Sequence, residues 1–223
     1  MGCIPSTDCF SRPEDTLQQF QTNVFAVINM CKALLPFFRS QGSGTLASIG
    51  SIGARLKNPY LGLYHGLKAA LRSKWKAMNH GGLPVTDTVL GMHLALDAEV
   101  RPLGIKTFLI EPGRFQTALL KAGGNVKTPT DNLIPQYDRL RKAAAERTAK
   151  ISGHQIGNPE LGAERIYEVL TVTAMAQGRD VPLELLLGSD YNVTREILSE
   201  EIQAVEEWKN VSCLTDFVVG ISA

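Results

Sequence analysis

The chain has no marked excess of either charge, little cysteine and no long apolar run. Its 223 residues carry 23 Lys+Arg against 22 Asp+Glu, a formal net charge of +1. No basic cluster interleaved with aromatics occurs, which excludes the electrostatic footprint of a nucleic-acid binder. No apolar stretch approaches the ~18 residues needed to span a bilayer, and the first residues lack the charged-then-apolar pattern of a secretory signal. The four cysteines, Cys3, Cys9, Cys31 and Cys213, are scattered without a CxxC pair, so a reducing, cytoplasmic setting is expected. In that setting Asn192-Val-Thr194 is a chance match to a glycosylation acceptor. His65, His80, His93 and His154 show no metal-ligand spacing, and no metal site is expected. What remains is a globular composition, 44% hydrophobic and 20% charged, on a length suited to one domain with a real core.

The extreme N-terminus, Met1-Gly2-Cys3-Ile4-Pro5-Ser6, matches a myristoylation template with an acylatable cysteine beside the glycine. Two acyl chains there would anchor the chain to a membrane. The plainer reading is a chance match within an unstructured leader over residues 1–12.

Beyond the leader, apolar residues recur at helical spacing. Phe20, Val24, Val27, Ile28, Cys31, Leu34, Leu35 and Phe38 predict an amphipathic helix over 16–39, opened by a capping box Ser11-Arg-Pro-Glu14. The Gly-rich turn Gln41-Gly-Ser-Gly44 then releases a buried strand over 45–49. The segment from Tyr60 to Val100 cannot be one helix, because Gly81-Gly82-Leu83-Pro84 interrupts it; we split it into helices over 62–78 and 88–100. A second buried strand, 105–110, ends at Glu111-Pro112-Gly113. Helices over 135–150 and 159–175, a strand over 182–187 and a last helix over 190–210 complete the order, the last carrying Ile197, Ile202, Val205 and the packing residue Trp208 on one face. Helix and strand in alternation imply parallel strands with crossovers, an α/β layered fold.

Tyr64 and Lys68 lie four apart on a helix, so both project from one face. An ammonium held near a phenol favours the phenolate and makes the tyrosine a usable proton donor near neutral pH. Alone, such a pair is usually a solvated surface feature. Here Ser51 ends a strand 13 residues earlier, and Asn23 lies on the helix 28 residues before that. With 12 serines and 9 asparagines in 223 positions, all four at set offsets are not comfortably explained by chance.

These offsets resemble the short-chain dehydrogenase/reductase family, which carries an Asn, Ser, Tyr, Lys tetrad. The strand and turn Gly44-Thr-Leu-Ala-Ser-Ile-Gly-Ser51, the segment Leu63-Tyr-His-Gly-Leu-Lys-Ala-Ala-Leu71, and Pro102-Leu-Gly-Ile105 leading to Glu111-Pro-Gly113 and Thr117 share the likeness. The resemblance implies a Rossmann-type, doubly wound parallel sheet and an NAD(P)-dependent oxidoreductase interconverting carbonyls and secondary alcohols. By resemblance Tyr64 is the general acid/base, Ser51 hydrogen-bonds the substrate oxygen, Lys68 lowers the tyrosine pKa and grips the nicotinamide ribose, and Asn23 holds a water relay. Gly113 and Phe115 would line the nicotinamide pocket, with Thr117 near the carboxamide. The cofactor expected is NAD(P), NADP preferred. The variable stretch 118–157, with Leu119, Leu120, Ile134 and Tyr137, suggests a small apolar substrate.

The chain also departs from the family. The tetrad asparagine normally follows four strands, yet here it is residue 23, so an incomplete sheet of about three strands with one bare edge is expected, within a single partial domain over 13–217. The selector between NAD and NADP belongs to the half not present, and Gly42-Ser-Gly44-Thr-Leu-Ala47 is a decoy because it precedes a strand rather than following one. Residues 73–89 read as an insertion into the tyrosine helix. A homo-oligomer through the helix 16–39 is the expected assembly. The alternative to an enzyme is a non-catalytic remnant or interaction protein that binds no dinucleotide.

Overall fold

The computed structural model describes residues 13–71, 92–121 and 134–215. The leader with Gly2 and Cys3, the residue Ser11 of the capping box, the Gly81-Gly82-Leu83-Pro84 turn and the expected insertion over 73–89 with Trp75 lie outside the described residues.

The predicted first helix is present but not uniform. α1 (Pro13–Phe20) and α2 (Ala26–Gln41) are joined by a π-helical turn, Gln21–Phe25. Asn23 sits inside that turn and its Nδ2 donates to the Gln19 carbonyl at 3.0 Å. Asparagine bonds readily to nearby backbone and so favours such irregularity, and π-turns concentrate at functional positions. α2 ends at Gly42, whose φ of 68° supplies the left-handed cap that stops a helix.

Three parallel strands follow: β1 (Gly44–Ile49), β2 (Ile105–Pro112) and β3 (Glu184–Leu187), in spatial order β1-β2-β3. β2 is the central strand, and Ile105, Leu109 and Ile110 are almost wholly buried. This is the near-continuous apolar run of a parallel strand covered on both faces. β1 corrects the expectation of a buried strand: only Leu46 is buried there, and Ile49 is 51% exposed. Its neighbour on one side is β2, and among the described residues none pairs with the other edge.

The crossover from β1 to β2 carries α3 (Gly62–Leu71) and α4 (Met92–Val100). α4 is fixed to β2 through Asp97, which accepts from Thr107 Oγ1 at 2.7 Å and from Arg101 Nε at 2.9 Å. The crossover from β2 to β3 carries α5 (Asp138–Ile151) and α6 (Pro159–Thr171). Asn158 caps α6 by accepting from the Glu160 and Leu161 N–H groups, with Pro159 in the first turn, as residue preferences dictate. α6 stops at Val172, φ 54°, short of the expected 175. The last helix, α7 (Tyr191–Cys213), forms where expected. Ile197 on its apolar face is half-buried, but further along no described residue covers that face: Ile202, Val205 and Trp208 are each at least 60% exposed, so the reading of Trp208 as a packing residue is overturned among the described residues. Periodicity marks a face as apolar without saying what covers it.

One small core places the helices that carry Asn23, Tyr64 and Lys68. Val24, Leu63 and Leu67 form a buried cluster, with Phe20, Ile28, Ala70 and Met92 against it. Each member of the trio is the chain neighbour of Asn23, Tyr64 or Lys68. Apolar burial therefore holds the π-turn against α3, and the three polar residues are carried on its rim.

Candidate active site

Strand register decides where the site lies. Ile49 is paired with Ile110, so Gly50-Ser51 leave β1 beside Glu111-Pro112, the last residues of β2, at the carboxyl ends of parallel strands. Such crevices are where open α/β sheets bind ligands. Gly50 extends the ladder by one bond, donating to the Ile110 carbonyl at 2.7 Å, and delivers Ser51 in extended geometry with φ −168° and ψ 147°.

Ser51 Oγ accepts from the Gly53 N–H at 3.0 Å and so caps the short turn Ile52–Ala54. A hydroxyl that accepts one bond keeps its proton for a second partner. Tyr64 lies in the first turn of α3 and Lys68 one turn on. Lys68 Nζ donates to the Ile49 carbonyl at 3.2 Å and lies 6.0 Å from the centroid of the Tyr64 ring. The lysine thereby links the tyrosine helix to the strand that delivers Ser51.

Gly53 joins the two hydroxyl-bearing residues. A β-carbon placed there would meet Tyr64 Cε1 at 3.0 Å, Ser51 Oγ at 3.1 Å and His65 Cδ2 at 3.4 Å. Ser51 and the Tyr64 ring thus flank one bare backbone position. His65, its ring centroid 6.1 Å from that of Tyr64, bonds to the Leu56 backbone. Burial lowers its pKa, and that bond partly opposes the shift.

The turn after β2 is held from the far side. Asp190, 5% exposed, accepts from Arg114 N at 2.7 Å, Arg114 Nε at 3.0 Å and Arg114 Nη2 at 2.5 Å. Burial pushes the Asp190 carboxyl up, but the Arg114 side-chain and backbone bonds outweigh it and hold the carboxyl below its usual value. The same bond to Asp190 pushes the Arg114 guanidinium up. Gly113 lies against this pair: a β-carbon there would come within 2.4 Å of Asp190 Oδ2. The Phe115 ring is seated among Gly157, Gly162 and Gly188, where an added β-carbon would meet it at 2.9, 2.7 and 3.5 Å respectively. Arg114, Phe115, Gly157, Gly162, Gly188 and Asp190 line a cavity of about 370 Å³. Thr117 is exposed and its Oγ1 accepts from Leu119 N at 3.4 Å, capping the turn Ala118–Leu120. The structure therefore brings Ser51, Tyr64 and Lys68 together, joins Asn23 to them through the shared core, and sets Gly113, Phe115 and Thr117 on the adjoining turn.

A second buried charge group escaped sequence reasoning. Arg55, four residues after Ser51, donates from Nε to Glu111 Oε2 at 3.0 Å and also pairs with Glu184. The Arg55 and Glu111 side chains are at most 3% exposed. This group ties the loop after Ser51 to β2 and β3. Glu111 was legible only as part of a turn, and nothing in the spacing linked it to an arginine 56 positions away. Among the described residues, no three His, Cys, Asp or Glu side chains gather in a way that could hold a metal, and no helix is long and apolar enough to cross a membrane.

The profile of the family described as short chain dehydrogenase matches residues 6–84. Oxidoreductase BOA17 of Botryotinia fuckeliana is 30% identical over 200 residues, covering 89% of this chain and 63% of its own length. A 3-ketodihydrosphingosine reductase of Bacteroides thetaiotaomicron is 36% identical over 104 residues, covering 47% of this chain and 32% of its own. The crystal structure of a short-chain dehydrogenase from Streptomyces avermitilis superposes with a TM-score of 0.68 at 28% identity, covering 92% of this chain and 64% of that one. The chain thus spans less than two thirds of the length of these relatives. With its parallel α/β sheet and its Ser51, Tyr64 and Lys68 at the strand ends, the chain belongs to the short-chain dehydrogenase/reductase family.

Proposed function

We propose that this chain carries the catalytic residues of an NAD(P)-dependent oxidoreductase that interconverts a carbonyl and a secondary alcohol. The observation that carries this reading is the joint placement of Ser51 Oγ and the Tyr64 ring around Gly53, with Lys68 Nζ 6.0 Å from that ring.

The residues present fit the nicotinamide end of a dinucleotide. Lys68 reaches the strand ends from α3, and Gly113, whose α-carbon is backed by the Asp190 side chain, lies on the turn that leaves β2. Lys68, Gly113, Phe115 and Thr117 are the residues that would hold it, with NADP the proposed form. When bound, such a cofactor supplies the hydride for carbonyl reduction. The chain's own residues handle the oxygen. Ser51 donates its remaining hydroxyl proton to the substrate oxygen as a hydrogen bond, and Tyr64 transfers its phenolic proton to that oxygen as negative charge develops there. The Lys68 ammonium then stands near the phenolate that remains and stabilises it. Asn23, on the π-turn, keeps one N–H and its amide oxygen to hold the water that returns the proton to Tyr64. In the oxidative direction the same groups act in reverse, Tyr64 accepting the alcohol proton.

The test is NADPH oxidation with a panel of apolar ketones, comparing the unsubstituted protein with Tyr64→Phe. Removing a positioned proton donor is expected to lower kcat by roughly 10²- to 10⁴-fold while leaving the fold intact. Turnover that survives the substitution would overturn the role of Tyr64. Absence of turnover in the unsubstituted protein would favour the alternative of a non-catalytic chain.

A further inference from the structure

The turn that presents Ser51 is short. The Ala54 N–H bonds to the Ser51 carbonyl at 3.0 Å and the Arg55 N–H to the Ile52 carbonyl at 2.9 Å. A single 3₁₀ turn has poor hydrogen-bond geometry and no longer helix behind it to hold it still. The bond from the Gly53 N–H to Ser51 Oγ lies within the same turn, so it moves with the turn and ties it to no other element.

The tie to the sheet runs through Glu111, the residue of β2 beside Gly50. At one end of the turn Gly50 packs on the glutamate stem: a β-carbon at Gly50 would meet Glu111 Cγ at 3.2 Å. At the other end Arg55 reaches back to the same side chain, with Nε and Nη2 each 3.0 Å from Glu111 Oε2. Nη2 also pairs with Glu184 Oε1 on β3. Residues 50–55 therefore bend around one carboxylate, and a second carboxylate fixes the far side of the guanidinium. The Arg55 and Glu111 side chains are 3% and 0% exposed, so solvent does not compete for these bonds. A buried ion pair adds little net stability over apolar packing; a planar guanidinium held from two directions supplies one fixed orientation instead. Leu56, the next residue, is bonded from α3 by His65. Arg55 is thus where the sheet takes hold of the turn, and Leu56 is where the tyrosine helix does.

We infer that Arg55 is a positioning residue for the reaction: its guanidinium, bridging Glu111 and Glu184, locks the turn 51–55 to the sheet and so keeps Ser51 Oγ in place beside the Tyr64 ring. This rests on the catalytic reading above and adds that the serine is aligned from outside its own turn, by a buried group that acts through it.

The full chain is compared with two variants at this position. Arg55→Lys keeps a charge opposite Glu111 but lacks the planar fork, and Arg55→Gln loses the charge as well. Thr107→Val, which cuts the buried 2.7 Å bond to Asp97 near the start of β2, serves as a variant whose effect is structural only. Amide hydrogen exchange of residues 50–56 needs no turnover; it is expected to quicken about 3- to 10-fold in both Arg55 variants and not in Thr107→Val. With an apolar ketone and NADPH, kcat is expected to fall about tenfold in Arg55→Lys and further in Arg55→Gln, because small displacements at a reacting centre are costly. The Kd for NADPH stays constant in both, and Thr107→Val lowers Tm without lowering kcat.

Unchanged exchange at 50–56 would overturn the lock. Faster exchange with unchanged kcat, in a protein that turns over the ketone, would overturn the positioning role alone. An equal fall of kcat in Thr107→Val would do the same, since it would mark a general effect of lost stability. No turnover by the unsubstituted protein would instead overturn the catalytic reading, and the positioning role with it. If Arg55→Gln does not fold, Arg55→Lys decides each of these outcomes by itself.

Discussion

Gly53 has little room for anything larger. With Tyr64 Cε1 and Ser51 Oγ each about 3 Å from where a β-carbon would stand, Gly53→Ala forces the ring or the hydroxyl aside by a few tenths of an ångström. Catalysis is more sensitive to such displacement than stability is. The expected outcome is a fall in kcat of about tenfold with Tm nearly unchanged, read by steady-state kinetics beside thermal melting. A loss of stability without a loss of kcat would contradict the placement. Ser51, Tyr64 and Lys68 were legible as a group because a helical turn and a strand end fix their offsets locally. Gly53 was not, since its importance comes from a side chain eleven residues later folding back over it. Arg55 and Glu111 were hidden for the same reason, their pairing being made by the sheet and not by the chain.

The elements meet the site through ion pairs as well as through apolar burial. The Arg114–Asp190 pair joins the turn after β2 to the start of α7 and sets the backbone at Gly113. Asp190→Asn is expected to lower stability by about 1–3 kcal/mol near neutral pH, discounted for the half-exposed guanidinium. The sign of the pH dependence follows from the lowered carboxyl. The stabilisation is complete above the ordinary aspartate range and is lost as pH falls through the lower value of the folded state. Denaturation curves of the two proteins should therefore converge in strong acid and separate above about pH 4; a difference independent of pH would contradict the assignment. Element type and order were readable from periodicity, including all three strands. The π-turn at Gln21–Phe25 was not, because the one-residue change of backbone bonding there, accompanied by the Asn23 side-chain bond to the Gln19 carbonyl, leaves the apolar spacing intact. The exposed face of α7 was misread because an apolar stripe carries no record of its partner.

At the scale of the whole molecule, a sheet whose central strand is buried and whose β1 edge is unpaired among the described residues carries Ser51 at its carboxyl rim, with Tyr64 and Lys68 on α3 beside it. The chain spans 63% of one curated relative and 64% of one solved relative, and its sequence resembles the half of the family that carries the tetrad. A site built at the ends of β1 and β2 needs those two strands in register and α3 seated on the Val24, Leu63 and Leu67 core, all of which are present. The most direct test of this account is a fluorescence titration of NADPH with the protein, repeated with Lys68→Met. The account predicts a saturable change with a Kd in the micromolar range, weakened about tenfold or more by the substitution. A signal that does not saturate, or that is identical in the two proteins, would contradict the claim that Lys68 and the strand ends form a dinucleotide-dependent active site.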